Sequence, residues 1–261
     1  MSCIEHKGYH DEEFNPCHLF DTYGGIDKTI SKEELVENPL KFFYNIFSSG
    51  CVKGDMLFDI SVGSSVYSNF VAVDYFKNII LLESSDCCIN AKEKWIRNEP
   101  GAVEHSHVAE FVCFLKGQST EWKEHEEKTR RAIKQVVKWD ITKENPLGAV
   151  VLPQADCLTS WYYLEAVSKD QYMYINLLKK FSSLLKIGGH LFLFAAINVS
   201  YYTIGQHKFA ALKCDEEFIR KAITEAGFII ESSQTHKSNL KSQMIDYESV
   251  ACFVCRKDRL V

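Results

Sequence analysis

The sequence predicts an α/β chain built on an open, mostly parallel, doubly wound sheet, and three observations carry that prediction. A short apolar run, Met56-Leu57-Phe58, passes through Asp59 and Ile60 into a turn of small residues, Ser61-Val62-Gly63-Ser64-Ser65. Val66-Tyr67-Ser68-Asn69-Phe70 then follows at helical spacing. Strand, tight turn and helix form the opening unit of a doubly wound sheet, whose ligands sit beyond the carboxyl ends of the strands. A helix beginning there offers unpaired N–H groups. A second apolar run, Asn78 to Leu82, ends in Glu83; an acid at that place suits a ribose diol, because a carboxylate accepts from two hydroxyls. The third observation is that strand-like and helix-like runs alternate almost to the end of the chain.

In order, residues 1–30 are polar and irregular yet carry Tyr9, Phe14, Phe20 and Tyr23. A disordered tail is poor in aromatics, so this stretch reads as a lid. Ser31-Lys32-Glu33-Glu34 is a capping box opening a helix toward Ser48, with Pro39 as a kink or break. After Glu83 a helix is expected from Asp86 to Arg97, stopped by Asn98-Glu99-Pro100-Gly101. Phe111 to Leu115 reads as a short helix or strand, Glu121 to Lys134 as a charged helix, and Val136 to Ile141 as strand three. Ala155 to Ser160 is strand four, followed by the aromatic cluster Trp161-Tyr162-Tyr163. A long amphipathic helix covers Lys169 to Leu185, and Lys186-Ile187-Gly188-Gly189 is its glycine cap and turn. His190 to Ile197 is continuously apolar, as a central buried strand should be. An aromatic hairpin or loop spans Ser200 to Phe209, a helix Asp215 to Ala226, and strands Phe228 to Glu231 and Ser249 to Val254. Those last two strands have no helix between them and must be antiparallel neighbours. Five βα units and a terminal antiparallel pair describe a methyltransferase-type sheet rather than a dehydrogenase.

Composition narrows the function classes. The chain has 261 residues, 46% of them hydrophobic, enough for one large domain with a packed core. We expect a single domain over 1–261, with 1–50 as a lid and helical region and 51–261 as the core. Net charge is −5 with both signs interspersed, so no basic block marks a nucleic-acid partner. Met1 to His6 lacks the apolar core of a signal peptide, and no run of about eighteen apolar residues marks a membrane span. A cytoplasmic protein is the expectation. Ten cysteines without a secretory context are read as reduced thiols. Cys252 and Cys255 have metal or redox spacing but lie in a strand-like run and read as core; Cys87-Cys88 opens a helix, where a thiol pKa can fall. His105-Ser106-His107 has no accompanying carboxylate or cysteine set and is expected at the surface, with no metal.

Several segments together carry a resemblance: Phe14-Asn15-Pro16, Gly54 to Tyr67, Glu93-Lys94-Trp95, Pro146-Leu147-Gly148-Ala149-Val150, Leu152 to Cys157, Ser183 to Gly189, and Ser200-Tyr201-Tyr202 with Ile204-Gly205. In order and over nearly the whole chain, they resemble the small-molecule N-methyltransferases acting on nicotinamide, phenylethanolamine and indolethylamines, the nicotinamide branch most of all. The resemblance implies a class I fold, a Rossmann-like seven-stranded sheet with an antiparallel C-terminal pair, and S-adenosyl-L-methionine (AdoMet) as cofactor. It implies a monomer acting on a small amine or pyridine-like acceptor. By similarity, Ser61, Val62, Gly63 and Ser64 lie along the methionine part with Tyr67 beside them. Glu83 holds the ribose, Asp140 and Ile141 meet the adenine edge, and Cys88 lies near the adenosine. Tyr23 belongs to the lid, and Ala195, Val199, Tyr202 and Ala211 line the acceptor side. No catalytic base is implied, because a sulfonium methyl is already activated.

Departures from the family pattern bear on activity. Its Gly-Ser-Gly turn is Ser61-Val62-Gly63 here, and a side chain where glycine needs positive φ costs roughly 1–3 kcal/mol. Lid tyrosines are replaced by Leu19 and Gly24, and an asparagine near the adenosine by Cys88. The acid that orients nicotinamide's amide is Ala195, and two serines are Val199 and Ala211. A site stripped of those groups loses discrimination for a polar amide, so an apolar or aromatic acceptor is expected. The same changes leave open an inactive paralogue that binds AdoMet, S-adenosylhomocysteine (AdoHcy) or a protein partner.

Overall fold

The computed structural model describes Asn15, residues 32–239 and residues 242–261. The segment bearing Leu19, Tyr23 and Gly24, and the cap at Ser31, lie outside the described residues. The sheet contains β1 (Met56–Ser61), β2 (Asn78–Glu83), β3 (Ile133–Lys138), β4 (Ala155–Trp161), β5 (Leu185–Ile197), β8 (Phe228–Lys237) and β9 (Ser249–Lys257). Its order is β3-β2-β1-β4-β5-β9-β8. The first five strands pair in parallel, and β9 pairs antiparallel to both β5 and β8. Strand order reverses between β1 and β4, which makes their carboxyl ends a topological switch point. A separate hairpin, β6 (Tyr201–Ile204) with β7 (His207–Ala210), is joined by an isolated bridge from Tyr202 to Ile245 in the segment between β8 and β9.

Alternation along β5 divides the core into two layers. Leu191, Leu193, Ala195 and Ile197 face one apolar cluster, and Phe192, Phe194 and Ala196 the other. A strand buried on both faces must be apolar at every position, hence the unbroken run read from the sequence. On the side of Phe192, α1 (Asn38–Ser48) inserts Phe43 and Phe47 edge-on and stacked against that ring, at 4.7 and 4.9 Å. Pro39 does not break this helix. The chain is helical on both sides of it, with a π turn at Glu33–Glu37 just before, and the Leu35 carbonyl that a residue-39 N–H would have used accepts instead from the Tyr162 hydroxyl.

The other helices are α2 (Tyr67–Ala72), α3 (Asp86–Ile96), α4 (Ser106–Leu115), α5 (Trp122–Ala132), α6 (Leu164–Val167), α7 (Gln171–Leu184) and α8 (Glu216–Glu225). Asp170 and Asp215 cap α7 and α8 by accepting from the N–H groups of Met173 and Phe218. Phe111–Leu115 is the end of a helix, not a strand. Strand three starts directly after α5 and ends at Lys138 rather than Ile141; the chain then turns, with the Asp140 N–H donating to Pro146 O at 2.9 Å. The glycine turn at 186–189 is absorbed into β5 as a register break between Ala155 and Cys157, with Gly188 at φ +81°. A Cβ at Gly189 would stand 2.9 Å from the Lys186 carbonyl oxygen, so only glycine fits this approach.

Candidate functional site

The carboxyl edge of the sheet has two halves, one over β1–β3 and one over β4, β5 and the β6–β7 hairpin. In the first half, the turn after β1 is pinned when the Val62 N–H donates to Trp161 O at 3.1 Å. Gly63 has φ +66°; the described non-glycine residues with positive φ are Asn98, Tyr162 and Asn198. Ser61 and Val62 therefore replace the family's glycine and serine without backbone strain. The conformation that demands glycine falls on Gly63, which is present. The expected α2 is only six residues long.

Behind the turn, Asp59 is fully buried and accepts from Thr159 Oγ1 at 2.6 Å and from Ser68 Oγ. Burial raises its pKa against the opposing pull of Lys92. Glu83, also fully buried, accepts through Oε1 from the N–H groups of Ser84 and Ser85 at 2.8 and 2.9 Å. Its Oε2 lies 2.6 Å from Lys92 Nζ, and that ammonium also donates to Ser61 O at 3.3 Å. Burial alone would push the Lys92 ammonium down, but Glu83 and then Asp59 outweigh it and raise its pKa. Trp139 N–H donates to Glu83 O, which sets Asp140 and Ile141 beside this strand end. Asp140 is held at a pKa of about 2 because its carboxylate accepts from Thr142 Oγ1 at 2.6 Å and Thr142 N–H at 3.0 Å. Cys88 is fully buried in the core, and burial pushes its thiol up. Cys87 beside it is exposed and lowered to about 6, chiefly by the Cys88 sulfur and then by Ser85 Oγ.

The second half is an apolar cavity. Leu35, Val36, Trp161, Tyr162, Ala166, Ala196, Val199, Tyr202, Ala211 and Ile245 line it, and Val62, Ser64, Ser65 and Tyr67 reach into it from the β1 turn. One acid also lines it, Glu165, on the short helix after β4. Its Oε1 accepts from Ala196 N–H at 2.7 Å, and its Oε2 has no hydrogen-bond partner among the described residues. Burial raises its pKa to about 7. Tyr162 adopts φ +52° at the end of β4 and donates its hydroxyl to Leu35 O at 3.1 Å. A bulky residue held in this region marks a place where surrounding structure enforces an unfavoured backbone.

The sequence profile of the NNMT/PNMT/TEMT family matches residues 2–258. The chain belongs to this family. It is 38% identical to nicotinamide N-methyltransferase of Homo sapiens, over 94% of this chain and 93% of that one. It is 33% identical to indolethylamine N-methyltransferase of Mus musculus, over 84% of this chain and 83% of that one. Among solved structures, an S-adenosylmethionine-dependent methyltransferase from Clostridium acetobutylicum aligns with a TM-score of 0.59 at 12% identity, covering 92% of this chain and all (100%) of that one. N-methyltransferase NodS from Bradyrhizobium japonicum, in complex with S-adenosyl-l-homocysteine, aligns at 0.54 and 12%, covering 94% and 100%. These two likenesses carry the fold. The NNMT/PNMT/TEMT family uses AdoMet.

The backbone of the turn fits that group, since its left-handed position is a glycine, and Asp140 follows the end of β3; Glu83 is wholly buried with both carboxylate oxygens already engaged. Of the residues assigned by resemblance, Val62, Ser64, Tyr67, Val199, Tyr202 and Ala211 line one cavity. Ala195 does not: alternation turns it to the opposite core cluster, and Ala196 faces the cavity. Cys88 and Glu83 are buried outside it. The reading of His105 and His107 as surface residues is corrected. His105 is 1% exposed and both rings meet Tyr67 edge-on at 5.6 and 6.1 Å. Burial lowers their pKa to about 3 and about 4, so both are neutral at pH 7. Sequence reasoning missed Glu165 and Lys92. A lone acid in Leu164-Glu165-Ala166-Val167, and a lysine spaced with Cys88 and Trp95 on the inner face of α3, were the available signals.

Proposed function

We propose that this chain is an AdoMet-dependent N-methyltransferase whose acceptor is a small aromatic or heterocyclic amine held at its nitrogen by Glu165. The observation that carries the proposal is one cavity shared by the β1 turn and the acceptor half, mostly apolar, with the Glu165 carboxyl as the one acid of its lining and its Oε2 without a hydrogen-bond partner among the described residues. AdoMet supplies a methyl group already activated on a sulfonium. The chain's task is then to orient the acceptor and exclude water. Trp161, Tyr162 and Val199 supply an apolar wall. Glu165 Oε2 accepts the acceptor's N–H and takes up the proton released as nitrogen gains its methyl. A carboxyl raised to about 7 is poised for that transfer near neutral pH. Ala196, Val199 and Ala211 offer no side-chain hydrogen bond to an amide, which supports an apolar amine over nicotinamide. Among the described residues no helix is long and apolar enough to cross a membrane; the proposal includes a monomer in the cytoplasm and a small-molecule partner.

The test is calorimetric titration with AdoMet and AdoHcy, followed by methyl-transfer assays on aryl-alkyl amines, indolethylamines, pyridines and nicotinamide. Micromolar binding and transfer to an amine, with nicotinamide slower, are expected. Glu165→Gln should lower kcat/KM roughly 100-fold. Absence of binding at millimolar AdoMet would sink the proposal. Saturable binding with no turnover on any amine would favour a second reading, a binding paralogue, for which the prior engagement of both Glu83 oxygens speaks.

A further inference from the structure

One carboxylate joins two segments outside the sheet that both line the acceptor cavity. Glu34 lies in the π turn Glu33–Glu37 and is 7% exposed. Its Oε2 accepts from the Tyr247 hydroxyl at 2.6 Å and the Ser238 hydroxyl at 2.7 Å, and its Oε1 from Asn239 N–H at 2.7 Å. All three donors belong to the connection between β8 and β9. Either side of this clasp runs directly into the cavity lining: Leu35 and Val36 follow Glu34, and Ile245 shortly precedes Tyr247. Ile245 in turn bridges to Tyr202, which lines the same cavity from the β6–β7 hairpin. A π turn is an irregular piece of helix, found most often where function needs it. Here the Leu35 carbonyl is taken by the Tyr162 hydroxyl, so the place of Leu35 and Val36 is set by distant partners as well as by their own helix.

Burying a carboxylate against three neutral donors costs desolvation that an apolar side chain at this place would not. What the acid supplies is position, because hydrogen bonds to an ionised acceptor are short and directional. We infer that Glu34 is a positioning residue for the methyl acceptor: by clasping Tyr247, Ser238 and Asn239 it fixes Leu35 and Val36 relative to Ile245, and so keeps the acceptor's ring within reach of Glu165. This rests on the function proposed above and deepens it by naming what sets the fit of the acceptor. The β1 turn is held independently, by the Val62 N–H on Trp161 O, so the clasp acts on the acceptor and leaves the cofactor side unchanged.

Calorimetric titration of the whole chain tests it, with AdoHcy first and then tryptamine or 2-phenylethylamine as probe amines into the AdoHcy complex. An amide has one acceptor oxygen where a carboxylate has two, so Glu34→Gln cannot serve all three donors. Glu34→Gln should weaken amine binding roughly tenfold and Tyr247→Phe roughly threefold, with AdoHcy affinity held within about twofold. The double variant should lose less than the product of the two, because both changes break the same contact. In methyl-transfer assays the loss should fall on the amine's KM, with kcat changed less than about threefold. Circular dichroism confirms that each variant is folded, and Tyr247→Phe, which removes one donor and keeps the ring, carries the test if Glu34→Gln does not fold. A merely structural staple would lower the urea midpoint and leave amine affinity at the wild-type value; that result overturns the inference, as does an equal loss of amine and AdoHcy affinity. A wild type that binds neither amine overturns it together with the function reading, a result distinct from amine affinity that the variants leave unchanged.

Discussion

The two halves of the sheet's carboxyl edge handle buried charge in opposite ways. Over β1–β3, Glu83 and Lys92 are both wholly buried and engage each other and the backbone, so the charge balance is settled inside the protein. Over β4 and β5, one carboxyl, Glu165, keeps an oxygen without a partner among the described residues inside an apolar wall. A satisfied pair holds shape, whereas an unsatisfied acid is driven toward its neutral form and becomes a place for a donor. In the proposed function, that difference divides the cofactor side from the acceptor side of one continuous edge.

The comparison breaks first if the pair is not a pair. Glu83→Ala leaves the Lys92 ammonium buried and uncompensated, and should destabilise the fold by about 3–5 kcal/mol in urea unfolding. Adding Lys92→Met should recover most of that loss. If the single variant unfolds at the wild-type urea midpoint, the buried ion pair contributes nothing and the contrast fails.

Glu165 offers the next largest effect, with a defined sign. Its folded pKa of about 7 lies above the ordinary carboxyl value. The folded state therefore binds the extra proton, and its contribution is fully present below about pH 4.5 and lost as pH rises through 7. Between those limits the wild type should lose up to about 3 kcal/mol from this group. Glu165→Gln, which keeps the acceptor for Ala196 N–H, should lack this dependence and be the more stable protein at pH 8. The groups whose ionisation couples to it are Tyr162, Tyr174 and Cys214, all themselves raised by burial. Identical pH profiles for both proteins would exclude Glu165 as the neutral acid.

The turn supplies the smallest and sharpest contrast. Gly63→Ala places a side chain at φ +66° and should cost about 1–2 kcal/mol of stability. Val62→Gly should change AdoMet affinity less than about threefold, because Val62 sits outside the left-handed region and relieves no strain when removed. A large gain in affinity from Val62→Gly would mean that the branched side chain itself crowds the cofactor.

Much of this was legible in advance for local reasons. Strand, turn and helix after Met56, the acid closing β2 and the terminal antiparallel pair each follow from period, turn chemistry and connection length within a short window. Ends of elements were less legible. Strand three ends at Lys138, where β2 runs out of partners, and the glycine turn at 186–189 merges into β5 through pairing with Ala155. Neither neighbour is close in sequence.

The site divides the same way. By itself the sequence determined the strand, turn and helix after Met56 with Gly63 in the turn, and the acid Glu83 closing β2, because these depend on what lies within a few residues along the chain; Asp140 came only with the family resemblance. Tertiary structure decided which side chains share a volume. Alternation on β5 set Ala196 rather than Ala195 in the cavity, and packing carried His105 from an apparent surface loop to the ring of Tyr67. The meeting of Lys92 with Ser61 spans 31 residues, and that of Glu165 with Ala196 another 31. Such contacts are set by the folding of distant segments against one another, and a period or a cap read from adjacent residues does not contain them.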